Sequence, residues 1–138
     1  MSFVDSLLRR LSRRLIYQRK SPRRRPASVP TRFRVASGAN VSSFVEVRTR
    51  DLSATGLAVE TPSLRVDGMH VYNSMDMVTP TRLDIVLGLP SGNVTIRGET
   101  VRYDSTDDAT YLLGIQILEM ADDDRRRYEE FLDTLKGR

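Results

Sequence analysis

Two short patterns in the sequence hold side chains that could bind an anionic ligand. The first is Arg19-x-x-x-Arg23, in an arginine-rich run that precedes the first predicted strand. A planar guanidinium can hold a phosphate through two parallel hydrogen bonds, whereas a lysine ammonium acts as a point charge. The run also permits the register Lys20-x-x-x-Arg24, which would put a lysine where bidentate geometry is wanted. The pattern indicates phosphate recognition, and a solvated basic tail is the alternative.

The second pattern is Asp51-x-Ser53-x-x-Gly56, between the second and third predicted strands. The Asp51 carboxylate accepts hydrogen bonds, and the Ser53 hydroxyl is short enough for a ligand to come close. Gly56 permits a positive φ and leaves room for a close backbone approach. The alternative is a turn whose side chains bond only to their own backbone.

The remaining residues offer little catalytic chemistry. The chain has no glycine-rich phosphate loop, no metal-ligand spacing, no cysteine and a single histidine, His70. This histidine lies between Met69 and Val71, which favours a structural or exposed side chain. The acidic runs 107–108 and 122–124 are interpreted as turn and helix-cap charges. We therefore predict no catalytic residue, no metal site and no cofactor, and a protein that is not an enzyme.

The chain has 138 residues, a length that predicts one domain. Its charged residues are distributed unevenly along the sequence. Of the 22 Lys and Arg residues, 11 lie within the first 34 positions, where Asp5 is the one acidic residue. That stretch carries a net charge of +10 and the rest carries −6. Such a basic segment indicates an anionic partner: a phosphate ligand, a nucleic acid, a membrane surface or an acidic protein. The sequence contains no long apolar run and no secretory signal, which predicts a cytoplasmic protein.

The first 28 residues are predicted to form a helix and an arm. Residues 1–17 form an N-terminal amphipathic helix, with arginines opposite its apolar side chains. Those apolar side chains are Phe3, Val4, Leu7, Leu8, Leu11 and Leu15. Residues 18–28 form an arginine-rich ligand-binding arm, which is expected to be extended and poorly ordered without ligand because it lacks periodicity and contains prolines.

Residues 29–138 are predicted to form a mostly β domain. Apolar and polar residues alternate from Val29 to Val35, as along a strand that is buried on one face. The six predicted strands cover 29–35, 44–50, 57–60, 83–87, 94–103 and 112–118. Strands joined by turns, with no helix between them, indicate a six-stranded antiparallel β-barrel. Residues 63–80 have no steady period and are predicted to be an insertion over the barrel, part strand and part loop.

A final helix is predicted over residues 122–136. Its acidic first turn lies at the positive end of the helix dipole, and Lys136 lies near the negative end. Its apolar stripe consists of Tyr128, Phe131, Leu132 and Leu135. This stripe is expected to cap one mouth of the barrel.

In this order along the chain, the two patterns and the strands resemble the PilZ domain family, receptors for the bacterial second messenger cyclic di-GMP. The resemblance covers residues 18–136 and leaves the first helix outside. Its matching segments are Arg19-x-x-x-Arg23, 28–33, 51–57, 83–90, 96–102 and 113–118. It implies a stand-alone receptor with a six-stranded barrel, a C-terminal helix and a ligand site on the outer surface of the barrel.

The resemblance implies that cyclic di-GMP is bound by Arg19, Lys20, Arg23, Arg24, Asp51, Ser53 and Gly56. The residue types suit a ligand with two phosphates and two guanines. Arginine can pair with a phosphate or with guanine O6 and N7, and Asp51 can accept from guanine N1–H and N2–H₂. The residue before the first motif arginine is Gln18 or Arg19, depending on the register, so one ligand or a stacked pair is compatible with the sequence.

Three functions are compatible with the sequence. The leading hypothesis is a receptor or adaptor whose arm becomes ordered on the barrel when the ligand binds. The first alternative is a PilZ-like protein-interaction module that binds no nucleotide. The second is a nucleic-acid-binding protein that uses the basic arm, which is disfavoured because only Tyr17 and Phe33 are available near the arm for stacking on bases.

The first helix is expected to carry the output of the receptor. It is too apolar to stay in water and too short to be stable alone. It is therefore expected to dock on the barrel, on a protein partner or second copy, or on an anionic membrane surface. Because the hinge at Gln18 and Arg19 adjoins the arm, ligand binding is predicted to move the helix.

Overall fold

The structure is a computed structural model, which describes residues 23–73 and 79–135. In this part of the chain there are ten strands and one helix. The strands are β1 (Arg25–Pro26), β2 (Pro30–Ser37), β3 (Asn40–Val41), β4 (Val45–Leu52), β5 (Gly56–Thr61), β6 (Arg65–Val66), β7 (Met69–His70), β8 (Thr81–Leu89), β9 (Gly92–Ser105) and β10 (Tyr111–Met120). The helix, α1, spans Asp122–Thr134. The predicted N-terminal helix (residues 1–17) lies outside the described residues.

Six antiparallel strands close into a barrel. They are neighbours in the order β4, β5, β10, β9, β8 and β2, and β2 pairs back with β4. In this closing pair Pro30 lies opposite Arg48, and Phe33 lies opposite Val45. The predicted six-stranded antiparallel barrel is confirmed, and each of its strands overlaps one of the six predicted segments.

The interior of the barrel is filled by every second residue of these strands. Along β2, Phe33 and Val35 are fully buried, whereas Arg32 between them is exposed. The strand pleat sends successive side chains to opposite faces, which is why the alternation in the sequence identified the strand. Fully burying an apolar side chain contributes about 1.5–3 kcal/mol. The inward set of residues is therefore the main source of stability, and the outward set is free to carry function.

The last residues of the predicted arm form part of the sheet. β1 pairs antiparallel with the end of β4, with Arg25 opposite Leu52. The Val29 amide donates to the Thr49 hydroxyl at 2.9 Å, and this hydroxyl donates to the Ala27 carbonyl at 2.6 Å. The prediction of a poorly ordered arm is therefore wrong from Arg25 onward, because the buried Thr49 supplies hydrogen bonds that local sequence does not reveal.

Residues 63–80 are part strand and part loop, as predicted. β6 and β7 form a hairpin around the turn at 67–68, whose two residues have φ values of 51° and 79°. Val66 and Val71 are buried in the barrel core. The insertion thus contributes side chains to the core, in addition to covering the barrel. Residues 74–78 lie outside the described residues.

Helix α1 packs on the barrel through its predicted apolar stripe. Tyr128 and Leu132 are buried, and Phe131 and Leu135 are partly buried against the core. In the described residues no helix is long and apolar enough to span a bilayer.

The start of α1 is tied to the barrel by an acidic residue. All three aspartates of the run 122–124 lie in its first turn, where the helix dipole favours negative charge. Asp124 also accepts from the Thr95 amide on β9 at 3.0 Å. The helix ends at Thr134, and Lys136 lies outside the described residues.

Candidate functional site

The arm and the end of β4 meet on the outer surface of the barrel. Pro26 lies opposite Asp51, so the arm runs beside the strand that leads into the second sequence pattern. Nη1 of Arg24 lies 3.5 Å from Oδ1 of Asp51. The Arg24 side chain is 54% exposed and that of Asp51 is 26% exposed. An exposed ion pair of this kind contributes about 0–1 kcal/mol, so both groups can change partners easily. We call this place, with the turn at 53–56, the arm corner.

Arg25, the next residue, points towards α1. Its Nη1 donates to the carbonyl of Leu132 in the last turn of the helix. Unpaired carbonyls concentrate partial negative charge there, which suits a guanidinium. Nε of Arg25 is buried and has no hydrogen-bond partner in the part of the chain that the structure describes. The two neighbouring arginines of the arm therefore have different roles: Arg24 lies at the surface and Arg25 ties the arm to the helix.

The turn after β4 is organised by Ser53. Its hydroxyl accepts from the Gly56 amide at 3.1 Å, and its own amide donates to the Gly56 carbonyl at 2.9 Å. Ser53 is buried, with 8% of its surface exposed. Ser53 therefore lies in a turn that is hydrogen-bonded to its own backbone, which is the alternative interpretation of the sequence pattern. Asp51 instead directs its carboxylate to Arg24.

Helix α1 contacts this turn through two side chains. The Tyr128 hydroxyl donates to the Ser53 carbonyl at 2.7 Å. Burial raises the pKa of the Tyr128 hydroxyl, so it stays protonated and remains a donor. Nη1 of Arg125 lies 3.5 Å from the Ala54 carbonyl. The helix therefore touches both halves of the arm corner: the turn through Tyr128 and the arm through Leu132.

Gly56 is required by packing. Glycines with positive φ in the described residues are Gly38, Gly68 and Gly92, so Gly56 does not use the positive φ that glycine permits. A Cβ at Gly56 would lie 2.6 Å from the carbonyl oxygen of Ile115 on β10. The room that this glycine leaves is occupied by the backbone of the neighbouring strand.

The structure brings four of the predicted site residues together at the arm corner: Arg24, Asp51, Ser53 and Gly56. Arg19 and Lys20 lie outside the described residues. Arg23 is exposed on the arm, one position before the ion-paired arginine. The arginine that contacts Asp51 is thus the downstream member of the register Lys20-x-x-x-Arg24.

Three residues at the arm corner are not identified by the sequence patterns: Arg25, Arg48 and Tyr128. Arg48 donates from Nε and Nη2 to the hydroxyl and carbonyl of Ser28 at 2.7 and 2.9 Å, which fastens the arm to the outer face of β4. Strand alternation was an available signal for Arg48, because it places this side chain outward. No local signal distinguishes the Tyr128 hydroxyl from that of any core tyrosine.

A second group of opposite charges lies on another wall of the barrel. Asp84 on β8 accepts from Nε of Arg34 at 3.0 Å and from Nη2 of Arg97 at 2.9 Å. Burial alone would raise the pKa of Asp84, but the hydrogen bonds from both arginines outweigh it and hold that pKa below its ordinary value. We call these three residues the Asp84 cluster. Its carboxylate is already satisfied, so it offers little to a ligand.

His70 packs beside an aromatic ring, and its Nδ1 has no hydrogen-bond partner among the described residues. It is half-buried, and its ring centroid lies 5.1 Å from that of Tyr72. Within residues 23–73 and 79–135, no three His, Asp or Glu side chains are grouped so that they could hold a metal ion.

Several solved structures have the same fold. The Bacillus subtilis inhibitor of motility MotI/DgrA matches with a TM-score of 0.61 and 16% identity, over 88% of this chain and 53% of that chain. The PilZ domain of YcgR from Escherichia coli, solved with c-di-GMP, matches with 0.52 and 16%, over 86% and 92%. The K. pneumonia MrkH–c-di-GMP complex matches with 0.56 and 20%, over 81% and 49%. The chain thus spans about half the length of MotI and MrkH.

Sequence comparisons point to one family. No curated protein sequence matches the chain. A family model described as "PilZ domain" matches residues 17–134, which include the arm, the whole barrel and α1. The matched range contains both sequence patterns and every strand of the closed barrel. The chain therefore belongs to the PilZ domain family.

Proposed function

We propose that the chain binds cyclic di-GMP at the arm corner and acts as a non-enzymatic receptor or adaptor that regulates a partner. The observation that carries the proposal is the contact between Arg24 and Asp51, because it joins the arginine-rich arm to the second sequence pattern at one exposed point. Two proteins of the same fold support it, since the YcgR PilZ domain and MrkH were solved with this ligand.

The chemistry of the arm corner suits the exchange of an internal ion pair for a ligand. Arg24 can turn from Asp51 to a phosphate or to guanine O6 and N7. Asp51 is then free to accept from guanine N1–H and N2–H₂. Because the ion pair is exposed, breaking it removes little stability.

The other predicted site residues would complete this contact. Ser53 and Gly56 act on the ligand through position, since their mutual hydrogen bonds set the backbone that follows Asp51. Arg19, Lys20 and Arg23 supply further cationic groups from the arm. A ligand with two phosphates needs more than one such group, which gives the upstream arm a role in affinity.

The signal is proposed to leave through the first helix. Ligand binding draws the upstream arm onto the barrel, and the helix at 1–17 moves with it because the hinge at Gln18 and Arg19 adjoins the arm. The apolar face of that helix then engages or releases a protein partner or a second copy of the chain, and an anionic membrane surface is the other docking place. A cytoplasmic location is part of this proposal.

Titration calorimetry with the full chain tests the ligand. Cyclic di-GMP, GTP and a short oligonucleotide are each titrated at two salt concentrations. We expect saturable binding of cyclic di-GMP alone. Binding to every polyanion that weakens steeply with salt would instead indicate a nucleic-acid-binding protein. No binding of any of the three would indicate a protein-interaction module.

A further inference from the structure

A shallow groove of about 470 Å³ crosses the outer face of the barrel beside the arm corner. Residues of β2, β4 and β8 line it, among them Pro30, Arg32, Glu46, Arg48, Val86 and Gly88. We propose that this outer groove is a guanine-binding subsite, which receives a guanine base of the ligand whose phosphates and other base lie at the arm corner. The inference rests on the proposed function and names residues that neither sequence pattern contains.

The base of the outer groove suits a flat ring. Val86 and Gly88 are half-buried on β8, and their strand neighbours on β2 are Arg32 and Pro30. Gly88 has no side chain to fill the space, and a Cβ there would lie 3.3 Å from the Pro30 carbonyl oxygen. A valine, a proline ring and a bare backbone form an apolar surface on which a purine can lie.

The rim of the outer groove matches the hydrogen-bonding edges of guanine. Arg32 and Arg48 can donate to O6 and N7, and the Glu46 carboxylate can accept from N1–H and N2–H₂. Adenine has an amino group in place of O6 and lacks both of those donors, so it would face two cations with a donor and leave Glu46 unpaired. The rim therefore selects guanine over adenine.

The rim residues are available for a ligand. Among the described residues Arg32 and Glu46 make no ion pair, and the guanidinium of Arg32 lies 5.2 Å above the ring of Phe44. Arg48 uses two of its three guanidinium nitrogens on Ser28. These two hydrogen bonds hold the Arg48 side chain in one orientation, so it loses little rotamer freedom on binding.

The outer groove is linked to the arm through Arg48. Ser28 belongs to the arm and is held by Arg48, which lines the groove. Arg48 and Asp51 are three residues apart on β4, about 10 Å along an extended strand. A ligand with two guanines can therefore reach both places from one position on the surface.

Calorimetry with matched variants of the full chain tests the subsite. Glu46→Gln and Arg32→Gln remove one charge each from the rim. The control is Arg50→Gln, an exposed arginine on the same strand that pairs with Glu60 at 2.8 Å and does not line the groove. We expect each rim variant to weaken cyclic di-GMP binding about tenfold. The control should stay within about twofold of the unmodified chain.

Cyclic di-AMP is the matched ligand, because it keeps both phosphates and replaces the guanines. We expect the unmodified chain to prefer cyclic di-GMP, and Glu46→Gln to reduce that preference. Ligand-induced shifts of the Gly88 and Asn93 amide resonances provide a second readout that does not depend on any variant.

Two outcomes contradict the inference in different ways. If rim variants bind as tightly as the unmodified chain and the Gly88 and Asn93 amides do not shift, while Asp51→Asn abolishes binding, the outer groove is not a subsite and the proposed function stands. If the unmodified chain binds no cyclic di-GMP, the proposed function fails and the subsite fails with it.

Discussion

The arm corner and the Asp84 cluster place the same chemical groups on the same barrel surface with different results. At the arm corner, the Asp51 carboxylate lies 3.5 Å from a guanidinium nitrogen of an arginine that is 54% exposed. In the Asp84 cluster, a carboxylate that is 16% exposed accepts from two arginines at 3.0 and 2.9 Å. The first carboxylate has unused capacity to accept hydrogen bonds, and the second has little.

The difference distinguishes an Arg–Asp pair that is suited to ligand binding from one that is suited to a structural role. A ligand that competes for Asp51 displaces a weak, solvated ion pair, whereas one that competes for Asp84 must break several charge-assisted hydrogen bonds. The hydrogen bonds from both arginines also lower the pKa of Asp84. Exposure and incomplete satisfaction, more than the presence of an Arg–Asp pair, therefore mark the candidate site.

Replacing each of the two aspartates by asparagine tests whether only Asp51 takes part in ligand binding. Asp51→Asn should weaken cyclic di-GMP binding about 10- to 100-fold, which corresponds to the loss of about 1.5–3 kcal/mol from a charged hydrogen-bond partner. Asp84→Asn should leave the affinity unchanged. Calorimetric titration of both variants checks this, and equal losses in the two would remove the distinction between the sites.

Variants of the arm arginines identify which register binds the ligand. Arg19→Ala and Arg23→Ala should each weaken binding about tenfold or more, because each removes a bidentate group from an arm that adds little to the core. Thermal stability should change little. If both variants bind normally while Arg24→Ala does not, the register Lys20-x-x-x-Arg24 is the correct one.

Substitution of Gly56 and of Gly88 tests how tightly the backbone packs at and near the arm corner. Gly56→Ala should lower the free energy of unfolding by about 1–3 kcal/mol, because its Cβ would lie 2.6 Å from the Ile115 carbonyl oxygen and the strands must shift. Gly88→Ala, with a nearest approach of 3.3 Å, should be milder. Urea unfolding of both variants measures the difference, and a larger loss at Gly88 would contradict this account.

The support that α1 gives to the arm corner has a smaller expected effect. Tyr128→Phe leaves the buried Ser53 carbonyl without its 2.7 Å donor and should lower the free energy of unfolding by about 1–2 kcal/mol. Amide hydrogen exchange at 53–56 should increase, since the turn loses its contact with the helix. Unchanged exchange there would show that the Ser53–Gly56 bonds hold the turn alone.

The Asp84 cluster should show its role in the pH dependence of stability. Because folding lowers the pKa of Asp84, its stabilising contribution is present above the ordinary value of 3.8 and is lost as the pH falls through the lowered value. Asp84→Asn should lower the free energy of unfolding at neutral pH by about 1 kcal/mol. This gap should narrow as the pH falls below 3.8 and Asp84 is protonated in the unmodified chain. Unfolding curves across this range measure the gap, and a gap that widens on acidification would contradict the assignment.

Most strands of the barrel can be predicted from local sequence patterns. The alternation through Phe33 and Val35 identifies β2, the turn at Gly38 separates it from β4, and the spacing of Tyr128 and Leu132 identifies the buried face of α1. These features are predictable because the strand pleat and the helical turn repeat over two to four residues. The arrangement of Asp51, Ser53 and Gly56 is likewise a local turn, so its place after β4 follows from the sequence.

Contacts between distant parts of the chain set the geometry of the candidate site. Residues near position 25 form a strand because Thr49 and the edge of β4 pair with them. The prolines of the arm make this strand hard to predict from the sequence. The same pairing brings Arg24 to Asp51 and turns Arg25 to the end of α1. Every arginine in the run has the same hydropathy and charge, so the sequence does not reveal the direction in which each side chain points. Direction comes from the pleat of a strand once it is paired, and that pairing exists only in the folded barrel.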